Sequence, residues 1–401
     1  MSVAPLMTSA LDLAAPEFVA DPYPRLGELR RTAPLVWHEP TQLWLATTHV
    51  AVSETLRSRV LGRIWTDREP VGRYAPFNAL HRHQMMENEP PVHTRLRRLV
   101  AGAFARDHVE RMRPRVERIA ADLLDALPQN HVDVVAHYAE PLPVAVIADL
   151  LGVPTVDRAR LRDWSQAIVR MYEYERTEAL ENAAIAASQE FSEYVRELVG
   201  ERRRNPGEDL VSDLVAARDD GVSLTEDELV ASVVLLLNAG HEASVNAFGN
   251  GLVALLRHPE QQARVASGAV GMETALEEML RYDAPLQLFE RTATQQVAVA
   301  SCAVEPGQKV AALLGSANRD ESVFASPERF DVGRAPNPHV GFGMGVHFCL
   351  GAPLARMELE VSLATLLDRF PALELAAEPA QRGTFVLRGY ERIDVDLGTP
   401  A

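Results

Sequence analysis

Cys349 sits in Gly341-Phe342-Gly343-Met344-Gly345-Val346-His347-Phe348-Cys349-Leu350-Gly351-Ala352-Pro353, directly ahead of the helix formers Leu354-Ala355-Arg356-Met357-Glu358-Leu359. A thiolate placed before a helix meets unpaired N–H groups and the positive end of the helix dipole, and both stabilise its charge. Gly343, Gly345 and Gly351 leave the backbone free to turn tightly beside a large flat group, and Pro353 suits a first helical turn. Deprotonated sulfur, tuned by amide hydrogen bonds and shielded from water, is the chemistry of an axial iron ligand. A merely structural cysteine would leave this order of Phe, Gly, His and Cys unexplained.

Two further constellations carry chemistry. His93 and Arg97 in Pro90-Pro91-Val92-His93-Thr94-Arg95-Leu96-Arg97 stand at i, i+4, so both reach one anion. Ala239-Gly240-His241-Glu242-Ala243-Ser244 sets an acid among small residues, inside a stretch that is otherwise apolar. His241-Glu242 begins like a zinc-protease helix, but the fourth residue on is Val245, so that metal reading fails.

The order Phe342, Gly343, Gly345, His347, Cys349, Gly351 resembles the haem-binding loop of the cytochrome P-450 family. The segment Ala239 to Ser244 is similar to the oxygen-activating segment of the same family. There a small residue, glycine, an acid and threonine border the distal face. The resemblance implies haem b with Cys349 as axial thiolate, and His93, Arg97, Arg291 and His347 as cations for the haem propionates. It places Gly343 and Gly351 against the cofactor. Glu242 matches the proton-relaying acid, while Ala243 holds the usual threonine position. Ser244 lies about 100° further round the helix and cannot simply replace it. A substrate hydroxyl or an ordered water could supply the missing group; the alternative is oxidative coupling, which tolerates poorer proton delivery, or peroxide-driven oxidation without oxygen insertion. A non-catalytic haem gas sensor or carrier would need no such acid.

Glu278 and Arg281 are similar to a buried ion pair of the family, completed by a later arginine for which Arg334 fits. Ala317-Asn318-Arg319-Asp320 and Pro327 to Asp331 resemble the turn leading into the ligand loop. Family topology implies a substrate pocket from Tyr74, Phe77, Met171, Leu235, Asn238, Ala239, Ala243, Leu286, Phe289, Phe385 and Val386. That mixture suits a mid-sized, mostly apolar molecule with some polar handles. The activity implied is that of a soluble bacterial-type monooxygenase of secondary metabolism. It would take dioxygen, and electrons from a separate ferredoxin and ferredoxin reductase, since the chain has no flavin or iron–sulfur segment.

The elements that must position these residues follow from periodicity. Extended signals are short, at residues 35–38, 43–47, 297–299 and 309–313, and most of the remainder is amphipathic helix, as at 109–127, 183–202 and 271–282. Thr225 to Glu228 forms a capping box, and the helical pattern runs on to about Arg257 before His258-Pro259 stops it. About 32 residues make roughly 48 Å, enough to cross a domain. Ala231 to Leu237 is apolar on nearly every side, so this helix is buried, with Asn246 and Asn250 expected to pair with neighbours. The expected architecture is mainly α with a small β portion, a single domain over residues 1–401, and this long central helix over the haem.

Bulk properties agree. Hydrophobic residues make up 47% of 401, enough for a core without disulfides. Only Cys302 and Cys349 are available, and a disulfide would consume the ligand, which suits a reducing compartment. Met1 to Ala10 lacks the basic start and apolar run of a signal peptide, and no uninterrupted apolar segment reaches membrane-spanning length, so a cytoplasmic location is expected. A net charge of −16 argues against nucleic-acid binding. Arg95, Arg97, Arg98, Arg106, Arg111, Arg113, Arg115 and Arg118 nevertheless crowd one stretch, which reads as a solvated face or a surface for an acidic partner.

Overall fold

The long helix organises the molecule. The computed structural model describes residues 8–128, 130–218 and 221–399, so most of the N-terminal decapeptide lies outside the described residues. The helix runs Glu226–Leu256 and opens on the expected capping box: Thr225 Oγ1 accepts the Glu228 N–H at 3.2 Å, and Glu228 accepts the Thr225 N–H at 2.9 Å. His258-Pro259 ends it, because proline cannot continue the hydrogen-bond ladder. By length and composition it could cross a membrane, yet 72% of its apolar window is buried inside the fold.

Other helices pack around it. Gly240 is a close-approach site: a Cβ there would sit 3.1 Å from Ile147 Cγ1, so helix Pro141–Leu150 can press against the long helix. Helices Ala75–His83, Arg158–Val169, Glu178–Arg204, Met272–Tyr282 and Ala352–Arg369 also contact it. Helix Arg106–Asp125 packs on Ala352–Arg369, the helix that follows the cysteine loop. The main apolar cluster fills the space between these helices.

The β portion lies to one side. Its largest sheet has six strands, in the order Thr8–Ser9, Leu35–His38, Leu43–Ala46, Lys309–Leu313, Leu288–Ala293 and Leu61–Gly62. Leu43–Ala46 pairs in parallel with Lys309–Leu313, and that strand runs antiparallel to Leu288–Ala293, with Arg291 opposite Val310. This pairing brings Arg291 from late in the chain beside the early Leu61–Gly62 strand.

The ion pair expected from Glu278 and Arg281 is fully buried, with Arg281 Nε donating to Glu278 Oε2 at 2.7 Å and Nη2 to Oε1 at 2.8 Å. Arg334 Nε adds a third bond at 3.0 Å, and the Asp331 N–H a fourth at 2.8 Å. Arg281 also donates to the carbonyls of Asn318, Pro327 and Arg329, so one guanidinium ties the turn and meander to helix Met272–Tyr282. Every charge in this buried network has a partner, the condition under which burial is tolerated.

Two expectations change. Asn250 pairs as expected, donating to the carbonyls of Asp283 and Arg388, but neither amide atom of Asn246 has a partner. Asn246 instead lies so close to Gly389 that a Cβ there would fall 2.2 Å from its Oδ1, so packing fixes it. The arginine-rich stretch is also not simply a solvated face. Arg95 pairs with Glu228, Arg113 with Glu110 and Glu360, and Arg115 with Asp149 at 2.6 Å, joining this segment to three other helices.

Candidate active site

The cysteine loop is held by its own backbone. The Cys349 N–H donates to Phe342 O at 3.0 Å, closing the loop. Gly343 and Gly345 have φ of +68° and +72°, and a Cβ on Gly345 would fall 2.4 Å from Leu56 O. Only glycine fits that turn and that approach. Gly351 differs: its φ of −82° is ordinary and nothing lies within 4 Å of a Cβ, so no backbone constraint requires glycine there. Its N–H, with that of Ala352, instead bonds Cys349 and favours the thiolate. Burial pushes the thiol up, while those two amides and the charges of Arg97 and Arg356 pull it down. Metal coordination would remove the proton outright.

Beside the loop four predicted cations converge. The rings of His93 and His347 lie 4.4 Å apart. His347 Nε2 meets Glu89 Oε1 at 2.7 Å, and Glu89 also accepts the Arg63 N–H at 2.7 Å. Arg97 donates to Phe348 O at 2.8 Å, and His93 Nδ1 is buried without a partner. Burial first, and then His347 and Arg97, push His93 down to about 4. Burial and then Arg63 push Arg291 down to about 9, Glu89 and Glu87 opposing. Positive groups that depress one another's protonation in a half-buried recess are short of negative charge. A dianion would supply it, so these residues fit the two propionates of a haem. Arg63, which also pairs with Glu87, is a member of the cluster that motif spacing did not reveal.

The long helix supplies the opposite wall. From Leu229 to Leu255 every residue is buried except Asn238, Ala239, Gly240 and Ala243, and Ala239 is exposed. One turn of a buried helix is thus bared on the face that carries two alanines. Ser244 is not on that face. It is buried and lines a void of about 10 Å³ with Tyr138, Phe248, Glu358 and Ser362. Glu242 Oε2 accepts from Arg382 Nη1 at 2.8 Å, and Glu242 Oε1 is buried without a partner. Arg382 comes from the far C-terminal hairpin, and no local pattern marks it.

The predicted pocket residues do not form one wall. Tyr74, Phe77, Met171 and Leu235 belong to the main apolar cluster, and Tyr74 directs its hydroxyl to Glu181 at 2.6 Å. Phe385 and Val386 pack in a separate cluster with Leu13, Phe18 and Leu26, the Phe385 ring 4.8 Å from that of Phe18. Leu286 and Phe289 are partly open, and Phe289 lies against Gly343 of the cysteine loop. Asn238, Ala239, Ala243, Leu286 and Phe289 therefore remain as the open-faced candidates.

Comparison with known proteins decides what this arrangement is. The profile of the family described as Cytochrome P450 matches residues 43–267 and 272–386. The chain belongs to the cytochrome P450 family. This P450 is 39% identical over 407 residues to 6-deoxyerythronolide B hydroxylase of Saccharopolyspora erythraea, covering 98% of this chain and 100% of the hydroxylase. It is 38% identical over 381 residues to the monooxygenase PikC of Streptomyces venezuelae, covering 92% and 89%. The crystal structure of P450BioI, in complex with acyl carrier protein bearing hexadec-9Z-enoic acid, superposes with a TM-score of 0.92. That match is 32% identical and covers 96% of this chain and 100% of P450BioI. This P450 is accordingly a haem-thiolate oxidoreductase, a monooxygenase that oxidises small molecules with dioxygen and electrons from redox partners. Its helical fold with a minor sheet is that of its relatives.

Proposed function

We propose that this P450 hydroxylates a mid-sized, largely apolar molecule whose own hydroxyl group completes proton delivery. One observation carries the reading: the bared turn of the long helix presents Ala239 and Ala243, neither of which carries a hydroxyl, while Ser244 is buried outside it. Glu242 lies beside that turn with one carboxylate oxygen anchored by Arg382 and the other unpartnered. A donor must bridge Glu242 to the reacting centre, and a substrate hydroxyl at Ala243 has the right chemistry. Asn238, with its amide oxygen buried and unpartnered one turn earlier, would accept from a second polar group and set the orientation.

Haem, when bound, supplies dioxygen binding and electron transfer. Cys349 would hold the iron, with the N–H groups of Gly351 and Ala352 tuning the sulfur. His93, Arg97, Arg291 and His347 would neutralise the propionates and fix the plane of the ring. Likeness to relatives named for hydroxylation and for polyketide biosynthesis supports a polyketide-like substrate. A ferredoxin with its reductase in the cytoplasm is the proposed electron source, docking by acidic groups on the arginine-bearing segment 95–118.

Ala243→Thr tests the reading. It should restore a hydroxyl on the bared face and reduce dependence on the substrate's own. Product formed per reductant consumed should then rise for analogues that lack the hydroxyl. Identical coupling in variant and parent across such a pair would dismiss the substrate's part.

A further inference from the structure

Four unpartnered polar atoms sit on the long helix and on a helix that packs against it. His241 is buried with neither ring nitrogen hydrogen-bonded, Glu242 Oε1 has no partner, and Ser165 Oγ on helix Arg158–Val169 has none. His241 Nδ1 stands 3.6 Å from a Glu242 carboxylate oxygen. Buried groups of this kind are normally satisfied, and a run of them marks a catalytic role or a path for water. A second acid acts on the His241 ring: Glu140, the N-cap of helix Pro141–Leu150. Glu140 lines a groove of about 350 Å³ with Asp122, Arg158 and Arg162, and is bonded by Gln166 and flanked by Arg162 at 3.9 Å.

We propose that His241 is the inlet through which solvent protons reach Glu242, entering from the Glu140 groove rather than through the substrate pocket. The inference rests on Glu242 being the acid that serves dioxygen reduction. A proton from water in the groove passes to Glu140 and then to one nitrogen of the His241 ring. The proton on the other nitrogen leaves to Glu242 Oε1, and the imidazole regains its starting tautomer by turning. No bond other than N–H and O–H is made or broken, and the electrons come from the redox partner already named. The charged groups facing the ring are Glu140, Glu242, Arg162 and Arg382. Burial holds the imidazole down at about 4, with Glu140 opposing, so the ring is neutral at pH 7 and offers one donor and one acceptor. Arg382 clamps only Oε2, leaving Oε1 as the receiving atom. His241 is a positioning residue of proton supply and touches neither substrate nor cofactor in this scheme.

The test uses the holoenzyme reduced by a surrogate ferredoxin and its reductase, with hydrogen peroxide release and reductant oxidation followed in H₂O and D₂O. His241→Gln should lower the rate at least about tenfold and enlarge the solvent isotope effect, since an amide holds water but relays no proton. Glu140→Gln should produce a smaller loss in the same direction. In protein labelled with ¹⁵N-histidine, Glu140→Gln should also shift the His241 ring resonances that report its tautomer, a readout independent of turnover. Should His241→Gln fail to retain haem, the Glu140→Gln pair of readouts decides alone. Wild-type rate and isotope effect in the His241 and Glu140 variants, with Glu242→Gln still impaired, would overturn the inlet only. If Glu242→Gln is unimpaired as well, the relay assigned to Glu242 falls, and the inlet with it.

Discussion

Arg382 Nη1 donates to Glu242 Oε2 at 2.8 Å, joining the last hairpin of the chain to the acid in the middle of the long helix. The two residues are 140 positions apart, and the bond fixes which carboxylate oxygen is free. Arg382 is itself anchored, its N–H on Gly389 O at 3.0 Å and its Nε on Tyr390 O at 3.3 Å. Arg382→Ala would strand a buried charge. The expected loss is about 1–3 kcal/mol, less than for a fully buried pair because Arg382 is partly exposed. Thermal unfolding against Arg382→Lys, which retains the charge, checks it; equal stability of parent and Ala variant would show that the pair contributes nothing.

Cys349 and Cys302 should separate cleanly. Cys302 opens a small strand of a two-stranded hairpin and not the glycine-rich loop that holds Cys349. Cys349→Ser should abolish the red-shifted carbon monoxide band of the reduced protein, and Cys302→Ser should leave it intact. The reverse pattern would transfer the ligand to Cys302.

Glu278 is fully buried and accepts from Arg281, Arg334 and the Asp331 backbone. Glu278→Gln halves its acceptor capacity and leaves two arginines short of charge, which costs about 3–5 kcal/mol. The meander before the cysteine loop should loosen, so haem retention should fall along with the unfolding temperature. Retention equal to wild type after mild heating would show the network to be dispensable.

Glu358 gives stability a pH dependence. Burial alone pushes its carboxyl up from 4.5 to about 8. Below about 4.5 both folded and unfolded states hold the proton, and above about 8 neither does. In between only the folded state holds it, so stability falls as pH rises through that window. The decline from this group is on the order of a few kcal/mol. Glu358→Gln cannot ionise and should flatten the slope between pH 5 and 8. Denaturant midpoints at both pH values measure it, and parallel slopes in parent and variant would refute the assignment.

Much of this was readable beforehand for a physical reason. The capping box, several short strands and the long helix are encoded by neighbours in sequence, and the structure places them within a few residues of expectation. The Glu278–Arg281 contact follows from i, i+3 spacing. Arg63, Arg382 and Glu358 were not readable, because each gains its meaning from partners on distant elements. Pocket residues are hard to read for a related reason: an apolar residue such as Phe385 looks the same in sequence whether it faces a cavity or packs on Phe18.

The sequence by itself determined the thiol in its glycine turn, the acid among small residues and the helix that carries it. These depend on local spacing and on backbone conformations open to few residues. Only the tertiary structure decided which face of that helix is bare, that Ser244 is buried outside it, and which oxygen of Glu242 is left free. Those depend on helix rotation and on contacts across the fold, where burial and long-range charge pairing outweigh anything a short motif can specify.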